Sequence, residues 1–226
     1  RFQIRGTIKP PETVVIAAID EKSIEKLGRW PWSRDKIARL VNKLNDAGAE
    51  IIVFDIILSE KEKNDPLLGR AINDAGNVIL PVVFDFERGS VMPENEMLLN
   101  SAFASVQNPD MFNKYNPIMA KSVLIPVPEI IQNVMGLGHI NMFPDSDGTL
   151  RWESLIIGYK GYLYPSITIQ AAAFYLGIPH EKVVIKATEV IQLGKRFIPT
   201  DRWGRTRIHY YGSNQTFKHI SISDIL

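Results

Sequence analysis

The sequence predicts an α/β fold with a central, mostly parallel sheet, helices on both faces, and an antiparallel extension near the C-terminus. Strand and helix patterns alternate with short connections from Val14 to Phe84, which implies parallel strands joined by right-handed crossovers. Gly194-Lys195 separates two short apolar runs, which is typical of a hairpin turn. We interpret residues 1–226 as a single domain.

Residues 10–84 form the regular half of this domain. Continuous apolar runs predict three buried strands, at Val14 to Ile19, Ile51 to Leu58 and Val78 to Phe84. Asp20 is a suitable N-cap for a short helix that ends at Gly28.

Two longer helices complete this half. Ser33 is a suitable N-cap for the first, whose apolar residues recur at helical spacing and predict one buried face: Ile37, Leu40, Val41, Leu44 and Ala47. Asp65-Pro66 predicts the start of the second, as N-cap and first helical residue, and Gly76 its end.

Residues 85–121 predict an irregular insertion, because Pro93, Pro109 and Pro117 interrupt a stretch without sustained periodicity. One short helix is predicted near Glu96 to Ser101. Residues 122–226 form a mixed second half. Its helices are predicted at Val127 to Met135, Ser166 to Leu176 and the terminal Ser223 to Leu226, and its strands at Gly138 to Met142, Leu150 to Tyr159, Val183 to Ala187, Val190 to Leu193, Arg196 to Ile198 and Thr206 to Tyr211.

The composition excludes several classes of function. Lys plus Arg number 26 and Asp plus Glu 25, so the net charge of +1 lacks the basic excess of a nucleic-acid-binding protein. The chain has no cysteine, which excludes disulfides, thiol catalysis and cysteine-ligated zinc. Glycine-rich phosphate loops and a serine nucleophile elbow are missing, and the four histidines are scattered, so we expect no cofactor and no metal.

Asp20 and Asp55 are the two acidic residues that best fit a catalytic or ligand-binding role. Each lies late in a predicted strand or just after it, and the carboxyl ends of neighbouring parallel strands border the ligand crevice of an open sheet. Two carboxylates there could bind a metal, act as nucleophile and base, or hold a cationic ligand. Alternatively, Asp20 caps a helix and Asp55 pairs with Arg34, which is a common structural fate for such carboxylates. We expect Asp20, Trp32, Arg34 and Asp55 to lie near one another at the sheet edge where the first two strands end, with Asp55 or Asp20 paired with Arg34.

Two other motifs allow more than one interpretation. Trp30-Pro31-Trp32 precedes Arg34, and the two indoles could line an aromatic cage, stack on Arg34, or close the following helix onto the sheet. Asp145-Ser146-Asp147-Gly148 is similar to the start of a calcium loop, but the later acidic ligands are missing, and a tight turn explains it equally well.

Several of these motifs together resemble one known family, the type-2 CHASE domains (cyclase/histidine-kinase-associated sensing extracellular). The resemblance covers nearly the whole chain in the right order, apart from residues 85–121. It rests on the following segments: Val15-Ile16-Ala17-Ala18-Ile19-Asp20, Ser23, Leu27 to Arg34, Ala47-Gly48-Ala49, Phe54-Asp55-Ile56, Ser59-Glu60, Asp65, Gly138-His139-Ile140-Asn141, Asp145 to Arg151, Tyr210-Tyr211-Gly212 and Ile220 to Leu226.

The resemblance implies an extracytoplasmic ligand-sensing domain of a bacterial transmembrane receptor that controls a cytoplasmic cyclase or kinase. It implies a cell-membrane location through flanking transmembrane helices, and we expect an unidentified small-molecule ligand and a homodimer. Both chain ends should then lie on one, membrane-proximal side. The competing hypotheses are a metal-dependent hydrolase using Asp20 and Asp55, and a purely structural dimerising ectodomain. The candidate ligand-binding residues are Asp20, Trp30, Trp32, Arg34, Asp55, Glu60, Asp147 and Arg151.

Overall fold

A computed structural model describes residues 5–89, 95–110, 118–187 and 189–226. In these ranges the helices are α1 (Glu21–Leu27), α2 (Arg34–Asp46), α3 (Asp65–Ala75), α4 (Glu96–Asn100), α5 (Pro128–Ile131), α6 (Ile167–Tyr175) and α7 (Ile222–Ile225). The strands are β1 (Val15–Ala18), β2 (Ile52–Val53), β3 (Val78–Asp85), β4 (Ser105–Gln107), β5 (Ser122–Leu124), β6 (Gly136–His139), β7 (Trp152–Ser154), β8 (Ile156–Tyr159), β9 (Tyr162–Pro165), β10 (Val183–Lys186), β11 (Val190–Leu193), β12 (Arg196–Pro199), β13 (Arg205–Arg207) and β14 (Lys218–Ser221).

The strand β3 organises the main sheet, and its predicted position is confirmed. It pairs in parallel with β2 and β6 and, through its last residues, antiparallel with β5. The fold is therefore mixed α/β, as predicted, but the parallel part is smaller than expected. The remaining strands in the described ranges form several small sheets instead of extending this one.

Helices pack on both faces of the main sheet. Side chains alternate along a strand, so Leu80 and Leu137, which are register partners, face the same way. That face carries the largest core cluster, to which α2, α3 and α5 contribute. The opposite face of β6 packs on α6 so closely that a Cβ atom on Gly138 would lie 2.4 Å from the Cα atom of Ile167.

The first strand differs from its prediction. β1 pairs in parallel with β14, near the other end of the chain, and not with β2. It is also not buried, because Val14, Val15 and Ile16 are 48%, 45% and 40% exposed. The apolar run predicted a strand correctly, but its partner is set by a contact about two hundred residues away that local periodicity does not encode.

The two described chain ends lie at opposite ends of the β1–β14 ribbon. Arg5 contacts His209 and Tyr210, which precede β14, whereas Leu226 follows β14 and packs in a cluster with Trp32. The expectation that both ends share one, membrane-proximal side of the domain stays a prediction, because a ribbon of four residue pairs does not fix the side on which each end lies.

The C-terminal half contains the predicted antiparallel extension. The hairpin at Gly194-Lys195 is confirmed, and β10, β11 and β12 form an antiparallel meander around it. β4 pairs in parallel with β10, so part of the predicted insertion 85–121 belongs to this sheet. The short helix predicted in the insertion is confirmed as α4, whereas residues 90–94 and 111–117 lie outside the described residues.

Two helix boundaries differ from prediction for identifiable reasons. The N-cap of α3 is Asn64, because the carboxylate of Asp65 is turned inward and accepts hydrogen bonds from other groups. The helix predicted over Val127 to Met135 ends at Ile131. The backbone N–H of Met135 instead donates to the carbonyl of Val78, which begins the pairing of β6 with β3.

Candidate functional site

Arg34 lies at the centre of a buried polar cluster, but its partners are not the predicted ones. Its Nε atom donates to Oδ1 of Asp65 at 2.8 Å, and its Nη2 atom donates to the carbonyl of Glu60 at 2.8 Å. The side chains of Arg34 and Asp65 are only 10% and 3% exposed, respectively. The predicted pairing of Arg34 with Asp55 or Asp20 is therefore wrong, because Asp65 at the start of α3 supplies the carboxylate.

The cluster fastens the beginning of α2 to the beginning of α3. The backbone N–H of Arg34 donates to Oε1 of Glu62 at 3.0 Å, and Oδ2 of Asp65 accepts from the backbone N–H of Glu62 at 2.6 Å. Charge-assisted hydrogen bonds of this kind are stronger than neutral ones. A buried carboxylate needs such partners, so the arrangement holds the loop before α3 in place.

The two tryptophans pack on each other and on helix α2. Trp30 and Trp32 meet edge to face, with ring centroids 5.4 Å apart, and Nε1 of Trp32 donates to the carbonyl of Gly28 at 2.7 Å. Trp32 is 4% exposed and packs with Leu40 and Ile222. The arrangement matches the interpretation in which the tryptophans close the helix onto its neighbours, and Trp32 offers no open ring face.

Asp20 joins the first part of the chain to its last part. Its carboxylate caps α1 by accepting from the backbone N–H of Ser23 at 2.8 Å, as predicted. It also accepts from the hydroxyl of Ser221 at 2.7 Å. These hydrogen bonds, led by the one from Ser221, hold the pKa of Asp20 below its ordinary value. Nearby, Nζ of Lys22 lies 2.6 Å from Oδ2 of Asp224 on α7.

The predicted cluster of Asp20, Trp32, Arg34 and Asp55 does not form as a single polar site. Asp20 follows β1, which pairs with β14. Asp55 is exposed and follows β2, which belongs to a different sheet from β1. Among the described residues no hydrogen bond or ion pair to Asp55 is present. Glu60 contributes its backbone carbonyl to Arg34, and its side chain is exposed.

Asp147 and Arg151 lie together in a self-contained turn. Nη2 of Arg151 lies 2.8 Å from Oδ2 of Asp147, and its Nη1 lies 2.8 Å from Oδ2 of Asp145. The bond to Arg151 lowers the pKa of Asp147, and the two carboxylates raise the pKa of Arg151. Because the arginine occupies both carboxylates, the similarity to a calcium loop is explained by a tight turn. No cluster of metal-ligating side chains occurs in the part of the chain that the structure describes.

His139 is a buried polar residue whose role the sequence did not indicate. It lies at the end of β6, is 1% exposed, and packs against Phe84 at a ring-centroid distance of 6.1 Å. Neither of its ring nitrogens has a hydrogen-bond partner among the described residues, and neither does the hydroxyl of Tyr159. Burial lowers the pKa of His139 to about 3, so the imidazole is neutral at physiological pH.

Comparison with known proteins identifies the family of the chain and does not test the arrangement of its helices and strands. No curated protein and no solved structure matches the chain. The described helices include none that is both long enough and apolar enough to cross a membrane. The model of the CHASE2 domain matches residues 1–226, which is the whole chain. The protein thus belongs to the CHASE2 family, whose members are extracellular sensory domains of membrane receptors.

Proposed function

We propose that this domain is the ligand-sensing input of a bacterial transmembrane receptor and controls a cytoplasmic cyclase or kinase. One observation carries the proposal beyond family membership. The early and late segments of the chain are fastened side by side through the β1–β14 ribbon, the Asp20–Ser221 hydrogen bond and the Lys22–Asp224 ion pair. A change in the domain that moves one segment must therefore move the other or break this junction.

A continuous set of packed elements leads from the body of the domain to this junction. Asp65 ties α3 to α2 through Arg34, and α2 in turn packs through Leu40 against Ile222 of α7. A ligand can shift such an arrangement only if it binds one of two states more tightly than the other. We propose that ligand binding near α3 alters the position of α2 and, through it, the junction.

The Lys22–Asp224 ion pair offers a test in the intact receptor that needs no ligand. Lys22→Glu would place a carboxylate beside Asp224, and Asp224→Lys would place an ammonium beside Lys22. Exposed pairs contribute about 0.2 to 1 kcal/mol, so we expect each variant to change basal output in membranes by roughly 1.5- to 5-fold. The double variant restores the attraction between positions 22 and 224. Lys26, whose Nζ lies 3.7 Å from Oδ1 of Asp224, would then stand beside the new lysine, so output should return only part of the way toward the unmodified level.

The matched control is the exposed Lys9–Glu12 pair, which lies outside the junction. Exchanging these two charges should leave output unchanged. The three receptors are compared at the same level of protein in the membrane. The proposed coupling would be contradicted if the Lys22→Glu and Asp224→Lys receptors both gave the output of the unmodified receptor.

We also propose that two copies of the chain associate through β1. Val15 and Ile16 in β1 and Val14 just before it are exposed apolar residues, and β1 pairs with β14 along one of its edges. Exposed apolar surface of this kind is a common feature of interfaces. Sedimentation analysis should detect a dimer of the unmodified chain that Val15→Lys dissociates, and a monomer at all concentrations would contradict the idea.

The geometry does not favour the hydrolase alternative. That hypothesis needs Asp20 and Asp55 at the ends of neighbouring paired strands, and β1 and β2 belong to different sheets. The carboxylate of Asp20 is also committed to capping α1 and to Ser221. We therefore propose a non-catalytic sensing role, in keeping with the family.

A further inference from the structure

We propose that the ribbon formed by β7 and β13 docks on the membrane surface by binding anionic phospholipid headgroups. Arginine and tryptophan side chains alternate along this ribbon and the turn before β13, and we call them the Arg–Trp ladder: Arg202, Trp203, Arg205, Trp152 and Arg207. The inference rests on the proposed function, because it requires a membrane receptor. It goes beyond that function by assigning a lipid contact to the domain itself.

The ladder is held together by guanidinium groups that lie over indole rings. The Cζ atom of Arg205 lies 4.6 Å from the ring centroid of Trp203 and 5.1 Å from that of Trp152. The Cζ atom of Arg202 lies 4.1 Å from the centroid of Trp203, and that of Arg207 lies 5.0 Å from the centroid of Trp152. Because these contacts order the side chains in advance, a partner that binds them loses less conformational entropy than it would on isolated surface arginines.

The ladder carries an excess of positive charge. Arg205 is paired with Asp201, whose Oδ2 atom lies 2.8 Å from Nη2 of the arginine. Arg202 and Arg207 are exposed and make no ion pair with a carboxylate in the described ranges. A guanidinium group offers a planar fork of N–H donors that matches the oxygens of a phosphate and is more weakly hydrated than an ammonium group. The ladder therefore presents two such cations, each held on an indole, to an anionic partner.

One face of the ribbon is open to a partner, whereas the other packs on the domain. Side chains alternate along a strand and Trp152 is the register partner of Arg207, so Trp152, Arg205 and Arg207 share a face. Glu153 points to the other face, where its carboxylate accepts a hydrogen bond from the hydroxyl of Thr168 in α6. The indole of Trp152 is half-buried and Arg207 is exposed, so the ladder face can meet a flat surface.

The ladder lies beside the first described part of the chain. Arg5 donates to the backbone carbonyl of Tyr210, and the hydroxyl of Tyr210 donates to the carbonyl of Leu150, two residues before Trp152. In the proposed receptor, membrane helices flank the domain, so the segment that contains Arg5 would lie near the bilayer. Tryptophan and tyrosine are enriched where a membrane meets water, and anionic lipids attract arginine there. The location therefore favours a lipid surface over a soluble anion.

Cosedimentation of the chain with vesicles measures this contact. The vesicles consist of phosphatidylcholine alone or of an equal mixture of phosphatidylcholine and phosphatidylglycerol, in about 0.1 M KCl. A single arginine near an anionic surface contributes about 5-fold to the partition coefficient. We expect the mixed vesicles to bind the chain about 30-fold more strongly than the neutral vesicles, and Arg202→Gln/Arg207→Gln to remove most of this difference.

Two further variants separate the ladder from overall charge and from folding. Arg39→Gln/Arg196→Gln removes the same number of charges at exposed positions outside the ladder and should bind like the unmodified chain. Arg202→Lys/Arg207→Lys keeps both charges of the ladder and should bind the mixed vesicles within about 5-fold of the unmodified chain.

Four results would overturn the inference. The first is equal binding to neutral and mixed vesicles, and the second is an equal loss of binding in the ladder variant and in Arg39→Gln/Arg196→Gln. The third is release from the mixed vesicles by about 10 mM inorganic phosphate, which adds little ionic strength and would assign the ladder to a soluble anion. The fourth is a dimer that Arg202→Gln/Arg207→Gln dissociates in sedimentation, which would assign the ladder to a second copy of the chain.

Vesicle binding and receptor output are independent measurements. None of these results bears on the charge exchange at Lys22 and Asp224, which is measured as output of the intact receptor. The lipid contact can thus be wrong while the proposed coupling stands, and the reverse also holds.

Discussion

Replacing Arg34 by methionine should be among the most destabilising changes to this domain. The substitution keeps much of the side-chain volume but leaves the carboxylate of Asp65, which is 3% exposed, without its cationic partner. Breaking one side of a buried ion pair costs about 3 to 5 kcal/mol. Asp65 keeps the hydrogen bond from the backbone N–H of Glu62, so we expect the lower end, about 3 kcal/mol.

Urea unfolding gives a direct measure of this loss. A chain of this size has an m value of roughly 3 kcal/mol/M, so the midpoint of the Arg34→Met variant should fall by about 1 M. The matched control is Arg39→Met on the exposed side of the same helix, which should shift stability by less than about 0.5 kcal/mol. The double variant Arg34→Met/Asp65→Leu also removes the unpaired carboxylate and should recover part of the lost stability. Equal midpoints for the Arg34 and Arg39 variants would refute the assignment of the pair.

Two further predictions concern the core. The pKa of His139 is about 3 in the folded protein and 6.5 when the imidazole is solvated. Between pH 3 and pH 6.5 the unfolded chain therefore binds a proton that the folded protein does not. The free energy of unfolding should fall by about 1.4 kcal/mol per pH unit as the pH drops from 6.5 toward 3. His139→Phe should lack this component, and identical pH profiles for the two proteins would contradict it. Gly138→Ala should lower the free energy of unfolding by at least about 1 to 3 kcal/mol, because its Cβ atom would lie 2.4 Å from the Cα atom of Ile167. The control is Gly89→Ala, whose Cβ atom would have no neighbour within 4 Å and which should leave thermal unfolding unchanged.

Local patterns were sufficient to predict most elements of the fold. The capping of α1 by Asp20, the end of α3 at Gly76 and the C-terminal hairpin follow from residue types at fixed spacing. The partner of β1 could not be predicted in this way. Its apolar run fits a buried parallel strand, yet pairing with β14 depends on contacts far apart in sequence.

The candidate site shows the same division between local and distant information. The sequence placed Trp30, Trp32 and Arg34 together because they are neighbours in the chain. The sequence does not single out the acid that pairs with Arg34, because Asp65 fits the role of a helix cap equally well.

A reversible cross-link of the β1–β14 ribbon in the intact receptor tests the central claim most directly. Ala17 and Ile220 are register partners, and adjacent strands bring Cα atoms within the range that a disulfide requires. The domain has no cysteine of its own, so Ala17→Cys/Ile220→Cys introduces a single bridge, with Gln192→Cys/Phe197→Cys in the distant hairpin as control. We predict that reduction with dithiothreitol changes receptor output in membranes for the ribbon pair and leaves it unchanged for the control. The account would be contradicted if the disulfide in the ribbon forms in full yield and receptor output is the same before and after its reduction.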